Sequence, residues 1–408
     1  MLAPLVEWIP FAGWEPGSSA GSFTLLLVLH TLVGLAIANR VLFGPWSRPR
    51  ERITARHVVL AIAAVVLAAF LEYWFLGRFF PWRRAGLSRF AVGAFAWHDA
   101  IYVAPACAIR ALVRARRGTA LAPAVIAALC LVFSGVAVAG FAHLVEPYRL
   151  EVEAVRVPLA RARAGAAPLR VAVIADLQTD HVTAFERSVI DEVVAARPDL
   201  IVIPGDVFQS RRDVFERERE AMREQLARLD APGGVYLVRG DVDSDETLAG
   251  LIGGTKIRRL ADEWVRVRVK DRSLTIAGID DWLGADRARA CVAELEREAG
   301  ADDVRILIAH HPDVVYRLQR NTRVDLLIAG HTHGGQVVVP GYGPPITLSA
   351  VPRDVAAGGL HALDGRRLFV SRGIGMERLQ APRVRFCCRP HLPLLDLVSD
   401  DDAADSSR

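Results

Sequence analysis

Apolar positions follow two regimes along the chain. Up to residue 148 they run unbroken for the length of a helix: residues 22–39, 57–71 and 118–145 contain no formal charge, and the second run continues beyond Glu72 into Tyr73, Trp74 and Phe75. A spanning helix needs about 20 mostly apolar residues. A fourth apolar run, 90–109, carries His98 and Asp99 at its centre and Pro105 near its end. Arginines at 48, 50 and 52, at 83 and 84, and at 114, 116 and 117 separate the runs, with Trp46 and Trp82 beside them, as at membrane interfaces. The pattern predicts a membrane domain over 1–148 with transmembrane helices at about 22–43, 57–79, 90–110 and 119–145. His98 and Asp99 are expected to face the bundle and tie helices together, since one ionisable pair makes a poor transport path. Glu72 is expected to do the same, from near a span end where it can reach water.

From residue 169 the runs shorten and polar helical stretches separate them. Strands are predicted at 169–175, 200–203, 235–238, 274–277, 306–309 and 326–329, and helices at 184–196, 213–229 and 285–298. This alternation implies a sheet with helical cover. Residues 149–168 are expected as a linker, 169–399 as one α/β domain and 400–408 as a disordered tail. Composition sharpens the division. The 408 residues are 52% hydrophobic with a net charge of +4, but 13 Arg face six acids up to Tyr148, leaving 37 basic and 40 acidic residues beyond it. The positive charge therefore belongs to membrane loops rather than to a nucleic-acid surface. Five cysteines without CxxC spacing exclude a zinc ribbon and argue against a disulfide framework.

Five of the short runs end in candidate chemistry: Asp176 and Gln178, then Gly205-Asp206, Gly240-Asp241-Val242-Asp243, His310-His311, and Gly330-His331-Thr332-His333. A single aspartate after a strand is usually a turn or cap residue. Five such ends in series, holding four of the eleven histidines, are a different matter. Open sheets bind ligands at the carboxyl ends of their strands, and carboxylate with imidazole is a ligand set for two divalent cations.

The blocks DLQ (176–178), GDV (205–207), GDVD (240–243), AHHPD (309–313) and GHTHGGQV (330–337) resemble, in this order, the signature of the calcineurin-like metallophosphoesterases. SRGIG (371–375) and CCRPHLPLLDL (387–397) are similar to the membrane-associated bacterial branch, which includes enzymes acting on lipid-linked pyrophosphates such as UDP-diacylglucosamine. The resemblance covers about 168–398 and nothing before 149. It implies a two-sheet β-sandwich flanked by helices. It also implies one metal held by Asp176, Gln178, Asp206 and His333, and a second held by Asp206, Asp241, His310 and His331, with Asp206 bridging. Such a pair activates a water and holds the phosphoryl oxygens for in-line attack.

The chain departs from that family's pattern at three places. Gln178 stands where the family usually has the histidine of DxH, Asp241-Val242 replaces the Asn-His of GNH, and Gln209 replaces the last aspartate of GDxxD. Amide and carboxylate oxygens are harder donors than imidazole, so Mn or Mg is expected over Zn. Valine cannot assist a leaving group, which leaves His311 or Asp243 as catalytic candidates, or a substrate whose leaving group needs no acid. The expected protein is thus a multi-pass α-helical membrane domain followed by an α/β metallophosphoesterase domain, placed in the cell membrane. Its expected partners are the lipid bilayer and a phosphorylated small-molecule or lipid substrate, with no nucleic acid. The alternative is a non-catalytic membrane receptor or assembly protein that senses metal or phosphate.

Overall fold

The structure, a computed structural model, describes residues 19–45, 51–75, 96, 98–280, 286–378 and 383–400. The chain divides into two compact units, residues 1–141 with 379–382, and residues 142–378 with 383–408.

The first unit is helical: α1 (Ser19–Phe43), α2 (Ala55–Phe75), α3 (Ala104–Arg116) and α4 (Pro123–Leu144), the last of which runs on into the second unit. Among the described residues two helical stretches, Ala55–Glu72 and Pro123–Tyr148, are long and apolar enough to cross a membrane, and Leu27–Phe43 is a shorter apolar helix. Only part of the expected span at 90–110 is described. Residues 90–95 and 97 lie outside the described residues, as do 76–79 of the second expected span, and a π-helical turn at Asp99–Val103 leads into α3, where Arg110, Arg114 and Arg116 interrupt the apolar pattern. Small buried residues, Ala38, Ala61, Ala108 and Ala111, line the helix contacts and let backbones approach closely. Large apolar side chains point outward instead, Leu131 being 74% exposed and Phe70 60%.

Inside this unit His30 of α1 is fully buried between two carboxylates, with Nδ1 2.8 Å from Glu72 Oε2 and Nε2 3.1 Å from Asp99 Oδ1. Asp99 does tie helices together, through a histidine the sequence did not single out. Glu72 turns in to the same ring and is only 11% exposed.

In the second unit the strands are β1 (Glu151–Leu159), β2 (Leu169–Val173), β3 (Leu200–Ile203), β4 (Val235–Leu237), β5 (Ile257–Arg259), β6 (Glu263–Val269), β7 (Arg272–Ile279), β8 (Val304–Ala309), β9 (Leu326–Ala329), β10 (Gly359–Leu363), β11 (Arg366–Val370) and β12 (His391–Ser399). They form two six-stranded mixed sheets, ordered β1-β12-β2-β3-β4-β5 and β10-β11-β9-β8-β7-β6. Strands β2 to β5, and β7, β8, β9 and β11, run parallel; β12 lies antiparallel to β2, and β6 and β10 pair antiparallel at the edges of the second sheet. The expected linker at 149–168 is corrected here: residues 151–159 are strand β1, paired with β12 from Glu151 opposite His391 to Leu159 opposite Ser399.

Alternation along each strand builds the layers. Leu169, Val171 and Val173 of β2 pack with Leu274, Ile276, Val304, Ile306 and Ile308 between the sheets. Ala172, Ile201, Ile203 and Leu237 face outward under α5 (Ala184–Ala196), α6 (Arg212–Leu226) and α7 (Asp245–Ile252). Leu307, Leu327 and Leu368 face the other way, beneath Cys291 and Leu295 of α8 (Asp286–Glu298). Burying each large aliphatic side chain contributes about 1.5–3 kcal/mol, and the resulting helix–sheet–sheet–helix sandwich fixes the strand ends. The charge run on α6 is a solvated face, with Phe215, Met222 and Leu226 turned to the core. Of the expected tail, residues 401–408 lie outside the described residues.

Candidate metal centre

The centre is built where β2, β3 and β4 of the first sheet and β8 and β9 of the second end. Leaving the strands costs backbone strain. Asp176 (φ 47°), Gln178 (31°), Asp206 (53°), His331 (71°) and His333 (49°) all adopt positive φ, each at a cost of order 1–3 kcal/mol for a residue with a Cβ. Glycine is required beside them. A Cβ on Gly240 would lie 2.1 Å from Asp206 Oδ1, and one on Gly330 would lie 2.7 Å from Asp176 Oδ2.

Two groups of potential ligands form here, each with its ligand atoms within 4.8 Å of one another: Asp176, Asp206 and His310, and Asp241, His310, His311 and His331. In the first, Asp176 is fully buried; its Oδ1 accepts the His331 N–H at 2.9 Å, while Oδ2 has no hydrogen-bond partner. Because a carbonyl only accepts, His310 donates from Nδ1 to Pro204 O at 2.8 Å. Its Nε2 is thereby left facing Asp206 Oδ2 at 3.3 Å and Asp241 Oδ2 at 3.8 Å. An imidazole whose second nitrogen is fixed by a backbone carbonyl is the usual state of a metal-binding histidine. In the second group, His311 Nε2 and His331 Nδ1 meet the same Asp241 oxygen, at 2.9 and 3.0 Å, and their rings stack with centroids 3.5 Å apart. His331 Nε2 donates to Leu348 O at 3.1 Å.

The remaining sequence candidates take different places. Asp243 turns inward: Oδ2 accepts the N–H groups of Asp206 at 2.8 Å and Gly240 at 3.0 Å, and Oδ1 that of Val207 at 3.0 Å. It holds the turns that carry Asp206 and Asp241. The Val242 N–H donates to Asp206 Oδ1 at 3.0 Å, so this position serves through its backbone. His333 stands outside both groups, 4% exposed, and neither ring nitrogen has a hydrogen-bond partner. Gln178 is fully buried with its amide nitrogen engaged and its Oε1 unpartnered. The signature-based ligand list does not include His311, which joins the second group; Glu377 from the loop after β11, which accepts from Gln178, and Gln336 from the loop after β9, which accepts the Glu377 N–H, had no signal beyond lying past strand ends.

Buried polar atoms without partners are rare and call for an explanation such as an ion. Asp176 Oδ2, Gln178 Oε1, His310 Nε2 and both His333 nitrogens are all of this kind, so the residues present fit divalent cations. The electrostatics agree. Burial, reinforced by Asp206, holds the Asp176 carboxyl above its usual range. Burial opposes charge on His310, but Asp206, Asp176 and Asp241 outweigh it and raise the imidazole. Asp241 is driven the other way: against burial, hydrogen bonds from His311 and His331 hold it well below the usual carboxylate range. Burial and Arg385 keep His333 neutral, well below the ordinary imidazole range.

A four-layer α/β sandwich with a carboxylate and imidazole cluster at its strand ends defines a metallohydrolase-type protein. Residues 169–335 match the model of the calcineurin-like phosphoesterases. The chain is 27% identical over 270 residues to the metallophosphoesterase YkuE of Bacillus subtilis, covering 64% of this chain and 90% of YkuE. It is 28% identical to the phosphodiesterase YaeI of Escherichia coli, over 64% of this chain and 92% of YaeI. It is also similar to the UDP-2,3-diacylglucosamine pyrophosphatase LpxG of Chlamydia trachomatis, at 24% identity over 62% of this chain and 91% of LpxG.

Proposed function

We propose that the chain is a membrane-anchored hydrolase that works with two divalent cations, Mn or Mg in preference to Zn, on phosphate esters or pyrophosphates of a lipid-linked substrate. The observation that carries this reading is the set of buried, unpartnered donor atoms gathered at one edge of the sandwich. One cation would take Asp176, Gln178, Asp206 and His333, and the other Asp206, Asp241, His310 and His331. When bound, such ions polarise the phosphoryl group and make a nucleophile of water at neutral pH. The apolar helices of the first unit support anchoring, and the likeness to LpxG supports a lipid-linked substrate.

The chain's own residues then constrain the leaving group. Val242 has no acid to offer, both oxygens of Asp243 are committed to backbone N–H groups, and His311 is engaged with Asp241. A leaving group that departs as a stable anion, such as the phosphate half of a pyrophosphate, needs no proton from any of them. His311 is better suited to orient Asp241 and His331, which it touches on two sides.

The full chain, purified in detergent and supplied with Mn, is expected to hydrolyse bis(p-nitrophenyl) phosphate and lipid pyrophosphates, and His331→Ala to abolish both activities. Equal inactivity of wild type and variant on both substrates would favour the non-catalytic sensor instead.

A further inference from the structure

We propose that Glu377 is a positioning residue that aims the Gln178 side chain at the first cation and so makes that position an oxygen donor. The inference rests on the two-cation reading above. An amide has two unlike ends, and only its carbonyl oxygen can ligate a cation. Which end of Gln178 faces the centre is decided by its neighbours. Its Nε2 lies 3.1 Å from Glu377 Oε2 and 2.9 Å from Gln209 Oε1. A carboxylate accepts and cannot donate, so the end facing Glu377 is the NH2 group. The Oε1 atom is turned the other way, buried and without a protein partner.

The rest of the network leaves no slack for a flip. Gln209 donates from Nε2 to Glu377 Oε1 at 3.1 Å, and its Oε1 also accepts the Arg378 N–H at 2.9 Å. Glu377 is held by its own N–H, which donates to Gln336 Oε1 at 2.6 Å, while Gln336 Nε2 donates to Val384 O at 3.0 Å. Three side chains from loops after β2, β3 and β11 thus satisfy one another, and Gln336 from the loop after β9 holds the Glu377 backbone. The leftover group is Gln178 Oε1. A packing role alone would not require a carboxylate at 377; two NH2 groups arriving from Gln178 and Gln209 do, because glutamine there would oppose one of them with an NH2 of its own. An amide oxygen is a hard, neutral donor. In the two-cation reading the first position also takes the carboxylates of Asp176 and Asp206, so the Gln178 oxygen would make three oxygen ligands there, and Glu377 would act on which ion is held without touching it.

The test uses the full chain in detergent, stripped with chelator and titrated with Mn by equilibrium dialysis and elemental analysis. Low-temperature electron paramagnetic resonance distinguishes a spin-coupled Mn pair from an isolated ion. Wild type is expected to bind two Mn per chain and show the coupled signal. Glu377→Gln and Glu377→Ala are expected to hold one Mn with wild-type affinity and the other about 10–100-fold more weakly, the range for residues that orient ligands, with the signal of an isolated ion. In a Gln178→Ala background, Glu377→Gln should cost nothing further. If the alanine variant fails to show a wild-type melting curve, the isosteric glutamine variant carries the test. A Glu377→Gln protein with the coupled pair at wild-type affinity overturns the proposal, as does an equal loss in the presence and absence of Gln178. A wild type that binds no Mn overturns the two-cation reading itself, and the proposal with it.

Discussion

Removing Asp243 separates a scaffold from a catalytic acid. Its carboxylate is 8% exposed and accepts three backbone N–H groups, two on Oδ2 and one on Oδ1. Each buried donor left without an acceptor costs about 1–3 kcal/mol. Asp243→Ala strands all three; they lie close enough for a water to serve some of them, so the expected loss is about 3–5 kcal/mol. Asp243→Asn can keep its oxygen where Oδ2 stands and lose only the Val207 bond, at about 1–3 kcal/mol. For a domain of this size 1 kcal/mol moves the melting temperature by roughly 2–4 °C, so the alanine variant should melt about 6–20 °C lower and the asparagine variant less far down. Differential scanning fluorimetry on the chelated full chain, where no cation can mask the difference, gives the reading. A melting temperature unchanged in both variants, with phosphodiesterase activity lost in both, would refute the scaffold role and return Asp243 to the catalytic candidates.

Two further outcomes are expected. His30→Ala leaves Glu72 and Asp99 facing an apolar gap in the helical unit and should cost about 3–5 kcal/mol, read as lost folded yield and a lower melting temperature in detergent; exchanging all three residues for leucine should restore most of it, and a triple variant no better than His30→Ala would remove the ion-pair argument. Val242→His keeps the N–H that Asp206 Oδ1 accepts and adds a proton donor, so turnover should rise, by up to about 100-fold, on substrates with poor leaving groups and little on bis(p-nitrophenyl) phosphate; an equal change on both would refute the leaving-group argument.

What was legible in the sequence was whatever repeats locally. The runs that became β2, β3, β8 and β9 are apolar but for Arg170 and Arg305 near the starts of β2 and β8, because both faces of those strands are covered, and the polar residues ending them stand out for the same reason. Strand β1 was missed because its polarity runs against its faces, the inward face beginning with Glu151 and Glu153 while Val152 and Ala154 are exposed, and because its partner β12 lies some 240 residues away. The Gln178 network was invisible for a similar cause: 199 residues separate Gln178 from Glu377. His30 read as one polar residue in an apolar run; only the packing of α1 and α2 beside the π-turn shows two carboxylates meeting it.

The division of donors between the sheets shows what the strain at the centre achieves. Every candidate oxygen ligand, from Asp176, Gln178, Asp206 and Asp241, follows a strand of the first sheet; every candidate nitrogen ligand, from His310, His331 and His333, follows a strand of the second. Neither sheet alone carries a mixed set. The centre therefore forms only where the two sheets have docked, and the apolar layer between them, with Val171, Val173, Ile306 and Ile308 fully buried, is what brings oxygen and nitrogen within reach of one another. Five residues with positive φ would together cost about 5–15 kcal/mol at 1–3 kcal/mol each, comparable to the whole stability of an ordinary domain. That cost is tolerable only because strands packed on both faces dictate where each turn must begin. A cation shared across the sheets would oppose the same strain from the other side, since it binds the docked sandwich and not the separated sheets, and its binding free energy then adds to folding.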